Sequence, residues 1–179
     1  MKAFQDLTRY VEKQEMGVEE IVRGSRQKNI TAEQVLDADA LDCNELQRLS
    51  SDPLVEIGGH TDSHSILAQL TVDQVRTEIL GNVMRLQALT GKPVQHFAYP
   101  HGDAKSCGER EFAICRELGF QTATTTRFGG LFPDHMKHST SLPRIRFNGA
   151  CESIAFMECQ RNGAVAAIKT RFGHPVVNG

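Results

Sequence analysis

His60 and His64 stand four residues apart in the stretch VEIGGHTDSHSIL, residues 55–67. At that spacing two imidazoles can meet on one side of a tight turn and offer neutral nitrogens to a divalent metal. The preceding Gly58 and Gly59 let the backbone turn sharply, and the Thr61 and Ser63 hydroxyls are expected to bond local backbone and hold the turn. Two surface histidines in a polar loop is the plainer alternative for the same residues. A second polar segment, HFAYPHGD at residues 96–103, ends in an aromatic residue, proline and glycine and carries Tyr99 and His101.

Both segments read as the ends of strands. Strand patterns are expected at 54–59, 93–100, 120–126 (FQTATTT) and 141–147, the third being β-branched and alternating. Between them lie helical patterns. Asp42 to Glu45 starts a helix running to about Asp52. Thr71 and Gln74 form a capping box that opens the strongest helix, with Val72, Val75, Ile79, Val83, Leu86 and Leu89 on one face and Gly91 at its end. A helix at 106–119 closes at Gly119, and a terminal helix following 152 is weakened at Gly163. Alternating helices and strands argue for right-handed βαβ units and a parallel sheet. In such sheets the chemistry sits at the C-terminal ends of the strands, which is where His60, His64, Tyr99 and His101 are expected.

Residues 3–23 carry Phe4, Leu7, Val11, Val18, Ile21 and Val22 at helical spacing, and Thr31 with Gln34 resembles a second capping box. Three segments are therefore expected: an N-terminal helical segment at 1–40, an α/β core at 41–150, and a C-terminal helix and tail at 151–179. The chain has 179 residues, enough for one domain with a sizeable core. Its 20 basic and 22 acidic residues leave a net charge of −2, which advertises neither nucleic acid nor anionic lipid as a partner. There is no long apolar run for a membrane span and no apolar leader, so a cytoplasmic location is expected. The five cysteines, 43, 107, 115, 151 and 159, are expected to be reduced and buried.

The motifs EIGGHTDSHSIL, HFAYPHGD, ELGFQTATTT and SLPRI, with the amphipathic helix between the first two, resemble in order and spacing the polysaccharide deacetylases. These are also described as NodB-homology proteins or family 4 carbohydrate esterases. The resemblance covers about residues 41–147. It implies a distorted or partial (β/α) barrel with mainly parallel strands, here with extra N-terminal helices. It also implies hydrolysis of the N-acetyl amide of a carbohydrate, a carbon–nitrogen bond other than a peptide bond, with one divalent metal, usually zinc. The metal role carries over to His60 and His64. A substrate-facing role carries over to Tyr99, Pro100 and His101, and a backbone amide in that segment is implied as an oxyanion donor.

The chain departs from the family pattern at its first motif. An Asp-Asp-Gly after an apolar strand supplies the family's base and third metal ligand, and no Asp-Asp pair occurs here. Asp37, Asp39 and Asp103 are candidates for the base, although Asp42 is better used as a helix cap and Asp62 lies between the histidines. Ala98 stands where many members have arginine. His138 and His174 are candidates for the acid on position alone. A four-coordinate zinc held by two histidines would lack a protein ligand, so weak metal binding and little turnover are expected. The chain is then either the C-terminal part of a longer deacetylase or a short, inactive binding or structural domain. In both cases a barrel short of strands must cover an open edge. The Phe4, Leu7 and Val11 stripe, or a homodimer across the gap, would do so.

Overall fold

The computed structural model describes residues 40–145 and 153–169. The N-terminal helical patterns, Asp37, Asp39, Cys151 and His174 lie outside these residues. The chain divides into two compact units, Met1–Leu46 and Gln47–Gly179. Of the first unit the described part is the start of helix α1 (Cys43–Ser51). There Asp42 and Glu45 cap each other's backbone amides at 3.0 and 2.7 Å, the reciprocal pattern expected from the sequence.

The second unit holds a three-stranded parallel sheet, β1 (His96–Ala98), β2 (Thr122–Phe128) and β3 (Leu142–Arg144), in that spatial order. Helix α2 (Val72–Thr90) precedes β1, α3 (Glu109–Glu117) connects β1 to β2, and α4 (Ile154–Arg161) and α5 (Ala164–Lys169) follow β3. Thr71 and Gln74 form the expected capping box of α2, and Gly91 closes that helix at φ 67°. Gly163, at φ 83°, separates α4 from α5, so the terminal pattern forms two helices rather than one.

The expected strand at 54–59 reduces to one parallel bridge, Gly59 with Phe97. The Gly59 N–H donates to the His96 carbonyl at 2.8 Å, and the Ala98 N–H to the Gly59 carbonyl at 2.9 Å. Upstream, a turn takes the residues that a longer strand would need. The Leu54 N–H donates to the Asp52 carboxylate and the Val55 N–H to the Asp52 carbonyl. A short 3₁₀ helix, Pro133–His138, occupies what the sequence pattern leaves as loop.

One sheet face is the core. Phe97, Tyr99 and Ala123 pack with Val75 and Ile79 of α2 and Phe112, Ile114 and Cys115 of α3. The rings of Tyr99 and Phe112, of Phe97 and Tyr99, and of Phe97 and Phe120 each stand 5.3 Å apart. Cys107 and Cys115 are buried thiols as expected, whereas Cys43 and Cys159 are exposed: helix position did not by itself decide their burial.

The opposite face is half-exposed and polar. His96 bonds Thr122 at 2.7 Å and Glu56 at 3.1 Å, and Arg144 donates to Thr124 at 3.2 Å. A closed barrel fills this face with branched aliphatic side chains. Here it borders an open cleft of about 360 Å³. The described architecture is thus a partial (β/α) barrel with α2 and α3 packed on one face of the sheet. Among the described residues no helix is long and apolar enough to cross a membrane.

Candidate functional site

Past the C-terminal ends of the Gly59 bridge and of β1, three imidazoles gather. The His60 and His64 ring centroids are 4.9 Å apart, and those of His64 and His101 are 5.0 Å apart. All three residues are exposed. The close approach rests on unusual backbone: Thr61, His64 and His101 all adopt left-handed φ, at 63°, 57° and 59°. Such conformations cost of order 1–3 kcal/mol each and persist only where the surroundings hold them. Partial burial, then the neighbouring charges of His60 and His101, keep His64 below the ordinary imidazole pKa.

The His60 Nδ1 lies 2.7 Å from the Ala98 carbonyl. A carbonyl only accepts, so in the neutral ring this bond selects the tautomer with the proton on Nδ1 and the lone pair on Nε2, the form that ligates metal. Helix α2 fixes the loop from the other side. The His60 N–H donates to Asn82 Oδ1 at 3.0 Å, and the Asp62 N–H donates to the Glu78 carbonyl at 3.1 Å. Ser63 donates both its N–H and its hydroxyl to the Glu78 carboxylate, at 2.9 and 2.8 Å. Burial pushes Glu78 up, yet the Ser63 and Asp62 hydrogen bonds outweigh it and hold the carboxyl below its usual value. Ser63 therefore holds the turn through α2 rather than through local backbone. The buried Thr61 hydroxyl, expected to do likewise, has no hydrogen-bond partner among the described residues.

Two glycines make the rim possible. A Cβ on Gly59 would stand 3.0 Å from the Phe97 ring and 3.3 Å from Asn82 Oδ1. Gly102 follows His101 at φ 69°, and a Cβ there would stand 2.7 Å from the Thr126 backbone nitrogen. Gly102→Ala is expected to destabilise the chain by more than about 1 kcal/mol. Gly130→Ala, in open space, serves as the control. Denaturant midpoints of the two variants check this; equal midpoints would show that the turn relaxes freely.

Of the three substrate-facing candidates, His101 reaches the surface. Tyr99 and Pro100 are buried, and the Tyr99 hydroxyl donates to the Thr140 carbonyl at 2.7 Å. Burial, with nearby Cys115, raises that phenol far above its ordinary pKa. Strand alternation is the physical reason: Tyr99 is two residues from Phe97 and so shares its core face. Among the described residues no acceptor meets the His101 N–H, while the amides on either side are taken. Tyr99 N–H donates to Thr124 and Gly102 N–H to Pro100, at 3.0 and 2.6 Å.

The described carboxylates near this rim are committed elsewhere. Asp62 pairs with Arg85 at 3.0 Å. Asp103 accepts from the Ser106 hydroxyl and from the Lys105 and Ser106 amides at 2.8–2.9 Å. The Ser106 hydroxyl first, with those amides and despite partial burial, holds Asp103 below the usual carboxylate range. Half-buried His138 ends the 3₁₀ helix, where its carbonyl accepts from Ser141, and no described contact joins it to the rim. Among the described residues no three His, Cys, Asp or Glu side chains form a metal cluster. The His60–His64 pair fits two positions around a divalent ion, one protein ligand short of a usual catalytic zinc.

An open parallel sheet with α2 and α3 on one face and histidines past its strand ends defines a deacetylase-type (β/α) domain. The family model for polysaccharide deacetylase matches residues 8–123, and the chain belongs to that family. The match begins well before residue 41, so it takes in much of the segment the sequence pattern sets apart. Among solved structures, the Streptococcus pyogenes deacetylase PplD, in complex with acetate, matches with a TM-score of 0.54 and 21% identity. That match covers 63% of this chain and 49% of the streptococcal one. A polysaccharide deacetylase from Bacillus cereus matches with a TM-score of 0.52 and 26% identity, over 63% of this chain and 34% of that one. The chain thus spans about half or less of the length of these relatives. No curated protein matches it significantly.

Proposed function

We propose that the rim of His60, His64 and His101 is a deacetylase-type site that holds a divalent metal, zinc, at His60 and His64. Its substrate would be the N-acetyl group of a carbohydrate. The observation that carries this reading is the Ala98 carbonyl, which accepts from His60 Nδ1 and so leaves Nε2 of the neutral ring for a metal, with the His60 and His64 ring centroids 4.9 Å apart. When bound, the metal would polarise the acetamide carbonyl and acidify a water. The chain's own contribution is placement. Ala98 and Asn82 fix His60, Glu78 fixes the backbone before His64, and the unengaged His101 amide is available to a developing oxyanion.

Zinc is expected to bind the full chain weakly, since two imidazoles replace the usual three protein ligands. Changing both His60 and His64 to Ala should remove binding in calorimetry. Submicromolar affinity that survives both changes would place the ligands elsewhere. Acetate release from N-acetylglucosamine oligomers with added zinc tests the reaction itself. A second reading, a carbohydrate-binding domain without turnover, is favoured by the engagement of Asp62 with Arg85 and of Asp103 with Ser106. Oligomer binding without acetate release would select it.

A further inference from the structure

We propose that Glu78 and Asn82 of α2 are positioning residues for the histidine pair, acting through the loop backbone. This deepens the proposed metal-binding reading and rests on it. The two residues lie one helical turn apart, and with Arg85 they form an i, i+4, i+7 stripe that faces the 60–64 loop. Each holds a different histidine. Asn82 takes the His60 N–H at 3.0 Å, which keeps His60 in register for its bond to the Ala98 carbonyl. Glu78 takes the N–H and hydroxyl of Ser63, the residue before left-handed His64. The Glu78 carbonyl also takes the Asp62 N–H, and Arg85 draws the Asp62 carboxylate away, 3.0 Å from its guanidinium.

Within the loop, the Ser63 and Ser65 hydroxyls share one hydrogen bond at 2.6 Å. Thr61, the β-branched residue at φ 63°, has a hydroxyl with no partner among the described residues, and the hydrogen bonds to the strained turn from outside it come from the helix. The helix is suited to the task. It is firmly capped at both ends and anchored by buried Val75 and Ile79, which flank Glu78 in sequence on its core side.

The test uses the full chain, metal-free and then with zinc(II) alone. In the metal-free chain, ¹⁵N shifts of the His60 ring should report a single Nδ1-protonated form. N82A should give a tautomer mixture, and E78A should raise the mobility of the 63 and 64 amides. Signals of β1 and β2 should stay unchanged in both variants. Zinc affinity should fall about 10- to 100-fold in each, the usual effect of losing a residue that supports a ligand. E78Q, which keeps an oxygen acceptor, should stay near wild type. If E78A fails to fold, S63A removes only the hydroxyl half of the same contact and should show the smaller change. Folded N82A and E78A proteins with wild-type tautomer, loop mobility and zinc affinity would overturn the proposal. If the wild-type chain binds no zinc while tautomer and mobility respond as described, the metal reading fails and the positioning roles stand.

Discussion

Phe112→Ala is expected to cost about 3–5 kcal/mol, the usual range for removing a buried aromatic ring. For a domain of ordinary stability, about 5–15 kcal/mol, that is a large share of the total. Phe112 is 2% exposed, and its ring sits 5.3 Å from that of Tyr99, with the Arg127 guanidinium 5.2 Å above it. Its carbonyl also accepts the Thr140 hydroxyl, while the Thr140 carbonyl accepts from Tyr99, so the ring closes a loop of contacts between α3, β1 and the segment before β3. The gap left by truncation would open beneath β1, the strand whose end carries His101. Leu131→Ala, at a 64% exposed position, should lie within about 0.5 kcal/mol of wild type. Urea unfolding of both variants checks this. A loss below about 1 kcal/mol at Phe112, against the expected 3–5, would show that the core is not centred on these rings.

The helices were legible because their punctuation is local. Asp42 with Glu45, Thr71 with Gln74, and glycines at 91, 119 and 163 act through residues a few positions away. The histidine pair was legible for the same reason, since turn and spacing lie in one short stretch. Other features depended on partners far along the chain. The strand expected at 54–59 pairs at Gly59 alone because β1 is short and a turn at Asp52 takes the residues before it. Burial of Tyr99 could have been read from the alternation with Phe97; its substrate-facing role was what the family resemblance implied. Glu78 and Asn82 carried no signal that set them apart from solvent-facing polar positions of an amphipathic helix. Their role appears only when the loop folds against them, at sequence separations of 15 and 22.

Acetate release from N-acetylglucosamine oligomers is expected to be little or none, even with zinc supplied. General-base catalysis typically contributes about 10²- to 10⁴-fold, and that is the factor a site without a free carboxylate forgoes. Asp62 is spent on Arg85. Asp103 has three donors on one oxygen and a lowered pKa, both of which make it a poorer proton acceptor. Releasing it would also leave the Ser106 hydroxyl and the Lys105 N–H without their acceptor at the turn that leads into α3, the Ser106 N–H keeping the Asp103 carbonyl at 3.2 Å. Asp37 and Asp39 remain the competing candidates. If either serves, turnover should stand well above the zinc-only background and fall to it on changing that aspartate to Asn. Asp103→Asn should leave a low rate low, while lowering stability through the weakened turn. Robust turnover abolished by Asp103→Asn, with the fold intact, would mean that this carboxylate exchanges its Ser106 contacts for a water in the working site.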